Sequence, residues 1–327
     1  MPLSKIQRRL IDAWQRDFPL LRDPYAHMAF ELGVSELYLL GMIKQLIREN
    51  ILSRVGAVVA PNTAGASVLA AIAAPAGRLE EVAAVVNAEP GVNHNYEREH
   101  RYNLWFVVTG RDRRAVDAAI ARIQDATGLD VLTLPLRTAY HIDLGFPLDG
   151  SPIAKDRNGG AARSLRDAGP VSRDDRALLR AIEDGLPVAP RPFEQVGHAI
   201  GSEEDDVIAR LGGLIDRGII KRFGLVVRHR ELGYSANAMV VWDVNDGDVD
   251  HIGETFAQIP FVTLCYRRPR RLPDWPYNLF CMIHGRDRDT VRRQIETLKA
   301  TARTETPMAV LFSGRRFKQR GARLSAV

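Results

Sequence analysis

The chain repeats itself, and that repeat restricts what it can fold into more than any other feature. FPLLRDPYAHMAFELG (Phe18–Gly33) returns as LPVAPRPFEQVGHAIG (Leu186–Gly201), with Pro19, Pro24 and Gly33 becoming Pro187, Pro192 and Gly201. IRENILSRVGAVV (Ile47–Val59) returns as IDRGIIKRFGLVV (Ile215–Val227), so Arg54 and Gly56 become Arg222 and Gly224. YNLWFVVTGRDR (Tyr102–Arg113) returns as YNLFCMIHGRDR (Tyr277–Arg288), after extra residues around Pro269–Asp274 that read as a loop insertion. Self-similarity over most of each half marks an internal duplication. The 327 residues therefore hold two copies of one plan.

Each copy opens with an apolar period of three to four residues, which predicts a helix over Lys5–Gln15 and again over Arg173–Glu183. Two short helices follow, the second over Glu36–Glu49 and Glu203–Arg217. Gly33-Val34-Ser35 and Gly201-Ser202 stand where a tight turn and an N-cap are needed. This is a helix-turn-helix shape, with Leu37, Leu39, Leu40, Ile43 and Leu46 of the first copy expected in its packed face. Strand-like runs at Leu52–Ala60, Ser67–Ala74, Val92–Arg98, Tyr102–Thr109 and Asp130–Leu136 alternate with helices at Leu79–Ala88 and Arg113–Thr127. The second copy follows suit. Strand-helix-strand-strand-helix-strand predicts a ferredoxin-like α+β sandwich. The expected layout is a helix-turn-helix module at 1–53, a sandwich at 54–146, a Gly/Pro-rich linker at 147–171, a second module at 172–221 and a second sandwich at 222–327. A linker of that length spans about 25–30 Å, enough for the copies to pack as a pseudo-dimer.

Composition excludes several classes. Hydrophobic residues make up 46% and charged residues 26%, an ordinary globular balance. No apolar run reaches the ~18 residues a spanning helix needs, and Asp12 and Asp17 argue against a targeting peptide. A cytoplasmic protein is expected. Two cysteines make neither a disulfide scaffold nor a four-ligand zinc site. All but six of the 45 basic residues are arginine, whose planar fork suits carboxylates and phosphates.

The module order resembles the Lrp/AsnC family of transcription regulators, yet the recognition helices argue against DNA. A groove-reading helix presents Arg, Lys, Asn or Gln in its first turns. The second copy opens with Glu203, Glu204, Asp205 and Asp206, and the first has no base-reading side chain before Lys44 and Gln45. DNA binding is therefore not the expected function.

The densest chemistry lies in the paired strands of each sandwich. GVNHNYEREHRYNLWF carries His94, Tyr96, Arg98, His100, Arg101, Tyr102, Asn103 and Trp105. Period two puts His94, Tyr96 and Arg98 on one face, and across the turn His100 and Tyr102 can approach one another, with His94 as a further candidate. The second copy offers Tyr266, Arg267, Arg268, Arg270, Arg271, Trp275, Tyr277 and Asn278, with no histidine in its loop. Two histidines against four arginines on a duplicated scaffold suit one asymmetric site. His27, His198, His229 and His251 stand outside any cluster and read as structural or solvated. His141 and the aligned Lys318 are weaker candidates for reaching a carboxylate, and His284 reads as the end of a strand just before Gly285.

HNYEREHRYNLWF and CYRRP…WPYNLFCMIHGRD, on a doubled Lrp-like scaffold with acidic recognition helices, resemble the siroheme decarboxylases over the whole chain. The first half looks like the D-type subunit and the second like the L-type. The resemblance implies conversion of siroheme to 12,18-didecarboxysiroheme in heme d1 biosynthesis, with two acetate carboxylates leaving as carbon dioxide. Siroheme is then the substrate, and other heme d1 biosynthesis subunits are the candidate protein partners. It further implies arginine forks on the substrate carboxylates and Tyr96, Tyr102, Trp105, Trp275 or Phe280 against the ring. His94 and His100 would serve as general acid and as partner of the substrate iron or a carboxylate, in an order left open. No further cofactor and no metal of the protein's own are expected, and no membrane contact. The rivals are an Lrp/AsnC-type regulator and a non-catalytic heme-binding sensor.

Overall fold

The computed structural model describes residues 3–142, 145–148, 171–302 and 306–321. The first half runs α1 (Lys5–Trp14), α2 (Pro24–Leu32), α3 (Glu36–Arg48), β1 (Leu52–Val59), β2 (Ala66–Ile72), α4 (Leu79–Ala88), β3 (Val92–Arg98), β4 (Leu104–Gly110), α5 (Arg113–Thr127), β5 (Val131–Pro135) and β6 (Thr138–Ile142). The second runs α6 (Arg173–Ala181), α7 (Pro192–Ile200), α8 (Glu204–Asp216), β7 (Ile220–Val227), β8 (Ala236–Trp242), α9 (Val249–Ala257), β9 (Val262–Arg267), β10 (Leu279–Gly285), α10 (Arg288–Ala302) and β11 (Met308–Gln319). No described helix is long and apolar enough to cross a membrane. Of the expected linker, 149–170 lies outside the described residues.

Two compact units form, and each takes a part of both halves. The first holds both helical modules together with β1 and β7, which pair antiparallel with Gly56 opposite Gly224. α2 and α7 end in left-handed glycines, Gly33 (φ +70°) and Gly201 (φ +68°), a conformation that glycine adopts at little cost. Ser35 caps α3 through the Tyr38 N–H, as its position predicts. In the second copy Ser202 falls one residue early, and Glu203 is the N-cap with no side-chain cap bond. Two acids in the first turn of α8 are paired with arginines. Glu204 is held by Arg191, and Asp205 by Arg22 of the other half. Leu39, Leu40, Ile43 and Leu46 are buried, but Leu37 is 82% exposed. It sits one position past Glu36 on the helix, off the stripe that recurs at three- and four-residue spacing.

The compact units meet at Ala64/Gly65 and Leu232/Gly233, because among the described residues β1 and β7 bond to each other and to no strand of the larger sheet.

The second unit is one nine-stranded sheet in the order β5-β2-β4-β3-β11-β8-β10-β9-β6. The helix-covered face of each half has its own core, around Val82, Phe106 and Ile123 in one and Trp242, Phe256 and Leu298 in the other. The opposite faces share a third core, built by Trp105, Leu134, Met239, Trp275, Phe280 and Leu311 from both halves. Strand exchange ties the halves together, as the pseudo-dimer reading requires. β11 pairs with β8 of its own half and then with β3 of the other. β5 pairs with β2, and β6 crosses to β9. Because only Leu136 and Arg137 separate β5 from β6, the two edges of the sheet are drawn together around the shared core. No local period in the sequence signals β6 or the long β11, which carries Arg315, Arg316 and Lys318.

Candidate active site

The two halves superimpose residue for residue along β3 and β9, where His94-Asn95-Tyr96-Glu97-Arg98 corresponds to Leu264-Cys265-Tyr266-Arg267-Arg268. Alternation sorts these side chains by face. Asn95 turns to α4, bonding Asn87 and the Ala83 carbonyl, and Cys265 lies in the helix-side core. His94, Tyr96 and Arg98, and opposite them Tyr266 and Arg268, are thereby set on the shared inner face. His94 Nδ1 lies 3.2 Å from Asn93 Oδ1, an oxygen that only accepts, so Nδ1 carries the proton and Nε2 presents the lone pair.

The two arginines make the same gesture in opposite directions. Arg98 donates to the Leu311 carbonyl and to Ser313 Oγ on β11 of the second half. Arg268 donates to the Leu134 carbonyl on β5 of the first. Arg268 also lies over the rings of Tyr266 and Phe280, 5.3 and 5.8 Å from their centroids. Among the described residues it has no carboxylate partner, its Nε is buried without an acceptor, and burial pushes its guanidinium down to about 10.

The hairpin ends differ. Tyr102 and Asn103 lie in the turn rather than in the expected strand. His100 Nδ1 accepts the Tyr102 N–H, which leaves the neutral ring's proton on Nε2. Its ring packs edge-on to Trp275 at 5.5 Å, and burial, then the charge of Arg101, hold its pKa below the ordinary value. Trp275 comes from the inserted loop of the second half, is fully buried, and packs against Trp105, Tyr102, Tyr277 and Phe280. Its Nε1–H meets no acceptor among the described residues, whereas Trp105 Nε1 donates to the Tyr102 carbonyl.

Other expected site residues have their polar atoms committed elsewhere. Asn103 bonds both backbone groups of Ala74, and Asn278 both of Val244, so each amide pins its hairpin to the neighbouring strand. Arg267 points to the acids of the helix side and pairs with Asp250. Lys318 donates to the Asn87 and Glu89 carbonyls at the end of α4, a favoured place for a cation. His141 stands opposite Cys265 where Lys318 stands opposite Asn95, so the two are positional equivalents. The expected approach of His94 to His100 does not occur. His94 precedes Arg98 by about 13 Å of strand, and the turn bearing His100 lies beyond.

Of the histidines read as structural, His27 pairs with Glu31 and His229 packs on Phe146. Sequence reasoning undervalued His284, which is buried beside Thr263 on the inner-face alternation of β10. Among the described residues no group of three or more His, Cys, Asp or Glu side chains is set to hold a metal. A shallow depression of about 440 Å³ in the first unit, lined by Arg9, Asp12, Trp14 and Glu31 among others, holds none of the residues singled out.

The comparisons with known proteins bear on the whole chain. Residues 64–141 and 231–318 match the AsnC-like ligand binding domain, and 7–52 and 175–221 match the siroheme decarboxylase NirDL-like HTH domain. The siroheme decarboxylase NirDL subunit of Paracoccus denitrificans (strain Pd 1222) is 44% identical over 331 residues, covering 100% of this chain and 99% of the relative. The separate siroheme decarboxylase NirD subunit of Stutzerimonas stutzeri is 54% identical over 152 residues, 46% of this chain and 99% of that subunit. A crystal structure of the siroheme decarboxylase NirDL in complex with an iron-uroporphyrin III analogue matches with a TM-score of 0.68 at 26% identity, covering 97% of this chain and 93% of that one. Kinship at this level along the full length, on the same doubled frame, makes the chain a member of the siroheme decarboxylase family.

Proposed function

We propose that the chain converts siroheme to 12,18-didecarboxysiroheme, removing two acetate carboxylates as carbon dioxide. The observation that carries this reading is a pair of buried donor atoms on an aromatic inner face that meet no acceptor among the described residues, Arg268 Nε–H and the Trp275 indole N–H, both bordering Phe280. Leaving a buried donor unmet costs about 1–3 kcal/mol, and more for a charged group. A ligand carboxylate relieves both. Siroheme brings eight carboxylates around a flat apolar ring, so Arg98 and Arg268 take carboxylates while Tyr96, Tyr102 and Tyr266 line the ring.

In each decarboxylation the bond between the methylene carbon and the carboxylate breaks. The electron pair stays on the methylene carbon, which takes a proton and becomes a methyl group. No electron is gained or lost overall. His94 is a proton donor in this reading: its Nδ1–H is pinned by Asn93, so Nε2 is the position that gains and gives the proton. His100, with its lowered pKa and its contact with Trp275, serves as a neutral brace of the hairpin. The reaction needs no further cofactor. Other subunits of heme d1 biosynthesis are the candidate protein partners, and DNA is not a ligand.

Anaerobic incubation of the purified chain with siroheme, followed by mass spectrometry of the tetrapyrrole, tests the proposal. Loss of two carbon dioxide units supports it. An unchanged mass, with the tetrapyrrole bound, assigns the chain to heme binding without turnover.

A further inference from the structure

The duplication places a bulge at the same point of both halves. Along β3 and β4, Val92 pairs with Val108 and His94 with Val107, which leaves Asn93 as the extra residue. Along β9 and β10, Val262 pairs with Ile283 and Leu264 with Met282, which leaves Thr263. Asn93 and Thr263 are equivalent positions, both polar and both buried, at 4% and 0% exposure. Bulges kink a strand locally and re-aim side chains, and they recur beside active sites.

Each bulge residue holds an imidazole by the same ring nitrogen. Asn93 Oδ1 takes Nδ1 of His94. Thr263 spends its single hydroxyl proton on the Met282 carbonyl at 3.0 Å, so at 2.8 Å it accepts from Nδ1–H of His284. Both rings thus carry the proton on Nδ1 and the lone pair on Nε2. The rings reach their bulges from different strands. His94 is the neighbour of Asn93 on β3. His284 comes from β10, at the position that Thr109 fills in the first half. His284 continues the alternation of Phe280 and Met282, which pack in the shared core, while Leu279, Cys281 and Ile283 pack under the helices. The second half has Leu264 where the first has His94, and carries its histidine on the adjacent strand.

We propose that His284 is a second proton-delivering residue, and that the two bulge stations each serve one of the two decarboxylations. This rests on the siroheme reading above. At each station protonated imidazole gives its Nε2 proton to the methylene carbon as carbon dioxide leaves, keeps Nδ1–H on Asn93 or Thr263, and is reprotonated from water. At metal-bound histidines the partner that fixes the tautomer is worth about 10–100-fold, and Asn93 and Thr263 hold these imidazoles in the same way.

The test is the product distribution of single-histidine variants of the full chain, followed in time by mass spectrometry. H284Q should accumulate a tetrapyrrole that has lost one carbon dioxide, its second release slowed by roughly 10²–10⁴-fold. H94Q should accumulate the isomer decarboxylated at the other acetate, told apart by NMR, and the double variant should release none. Siroheme binding, followed by absorbance titration, should stay near wild type in all three. Release of both units by H284Q at the wild-type rate overturns the proposal. So does parallel slowing of both releases with no intermediate, which is the mark of a structural role. If H284Q does not fold, T263V carries the test, since it keeps the imidazole and removes the hydroxyl that fixes it. An intermediate from T263V supports the proposal, and a wild-type product ratio overturns it. A wild-type chain that releases no carbon dioxide overturns the siroheme reading and this one together, whereas an active wild type with an unaffected H284Q overturns this one alone.

Discussion

The two hairpins of the sandwich unit began as copies and now do different things. The first, between β3 and β4, is short and carries His100. The second, between β9 and β10, is longer and sends Trp275 into the core that the first half's Trp105 and Tyr102 also fill. What stayed alike is the frame: Asn103 and Asn278 clamp the same strand ends, and Arg98 and Arg268 reach across to the same place on the opposite half. What diverged is where the imidazoles stand and what fills the inserted loop. In a duplicated protein the shared residues hold the fold and the differences mark the chemistry.

The sharpest way to break this contrast is His94→Gln. His94 stands where the second half has the apolar Leu264, so its loss should cut formation of the doubly decarboxylated product by roughly 10²–10⁴-fold while binding persists. A single-turnover assay beside a siroheme titration checks it. A wild-type rate would make the asymmetry at 94/264 incidental. Trp275→Ala tests the hairpin insertion. Removing a buried tryptophan of this kind costs about 3–5 kcal/mol, read as a lower denaturation midpoint of the full chain. An unchanged midpoint would mean that the loop decorates the core without supporting it.

The duplication, the element order and the sandwich were all legible, because apolar periods and turn residues are local signals. Strand exchange was not. Which copy's edge β11 and β6 join depends on pairing between residues far apart in sequence, and no local period records that. Leu37 was misread because a run of leucines hides which one leaves the packed stripe. His284 was visible as the residue standing in place of Thr109, yet its apolar neighbours made it read as the end of a strand. His94 and His100 were drawn together because spacing gives a face but not a distance.

Arg268→Met sharpens the comparison of the paired arginines. If Arg268 takes a carboxylate, siroheme affinity should fall by about tenfold to a hundredfold, with partial recovery in Arg268→Lys. Unchanged binding would move the carboxylate site away from the second half. A smaller effect separates the hairpins by pH. Folding lowers the pKa of His100, so the unfolded chain binds the proton more readily, and stability should fall as pH drops through the ordinary imidazole value. Thermal melts of wild type and His100→Gln should diverge there, and parallel curves would dismiss the effect. The smallest expected signal is on DNA. The first turn of α8 carries Glu204, Asp205 and Asp206 and no basic side chain of its own. No nanomolar affinity for any defined duplex should be seen at physiological salt, and such affinity would restore the regulator reading.

The exchange of β11 onto β3 also sets an order of events during synthesis. β3 leaves the ribosome roughly 200 residues ahead of the strand that covers its edge, and chain growth at 5–20 residues per second leaves that edge open for on the order of ten seconds. An uncovered strand edge is a template for pairing with another nascent chain. Arg98 and the Glu97 that later holds Arg315 place charge along it in the meantime. The first half is thus born needing the second, and a stalled or truncated translation product exposes the very strand that bears His94.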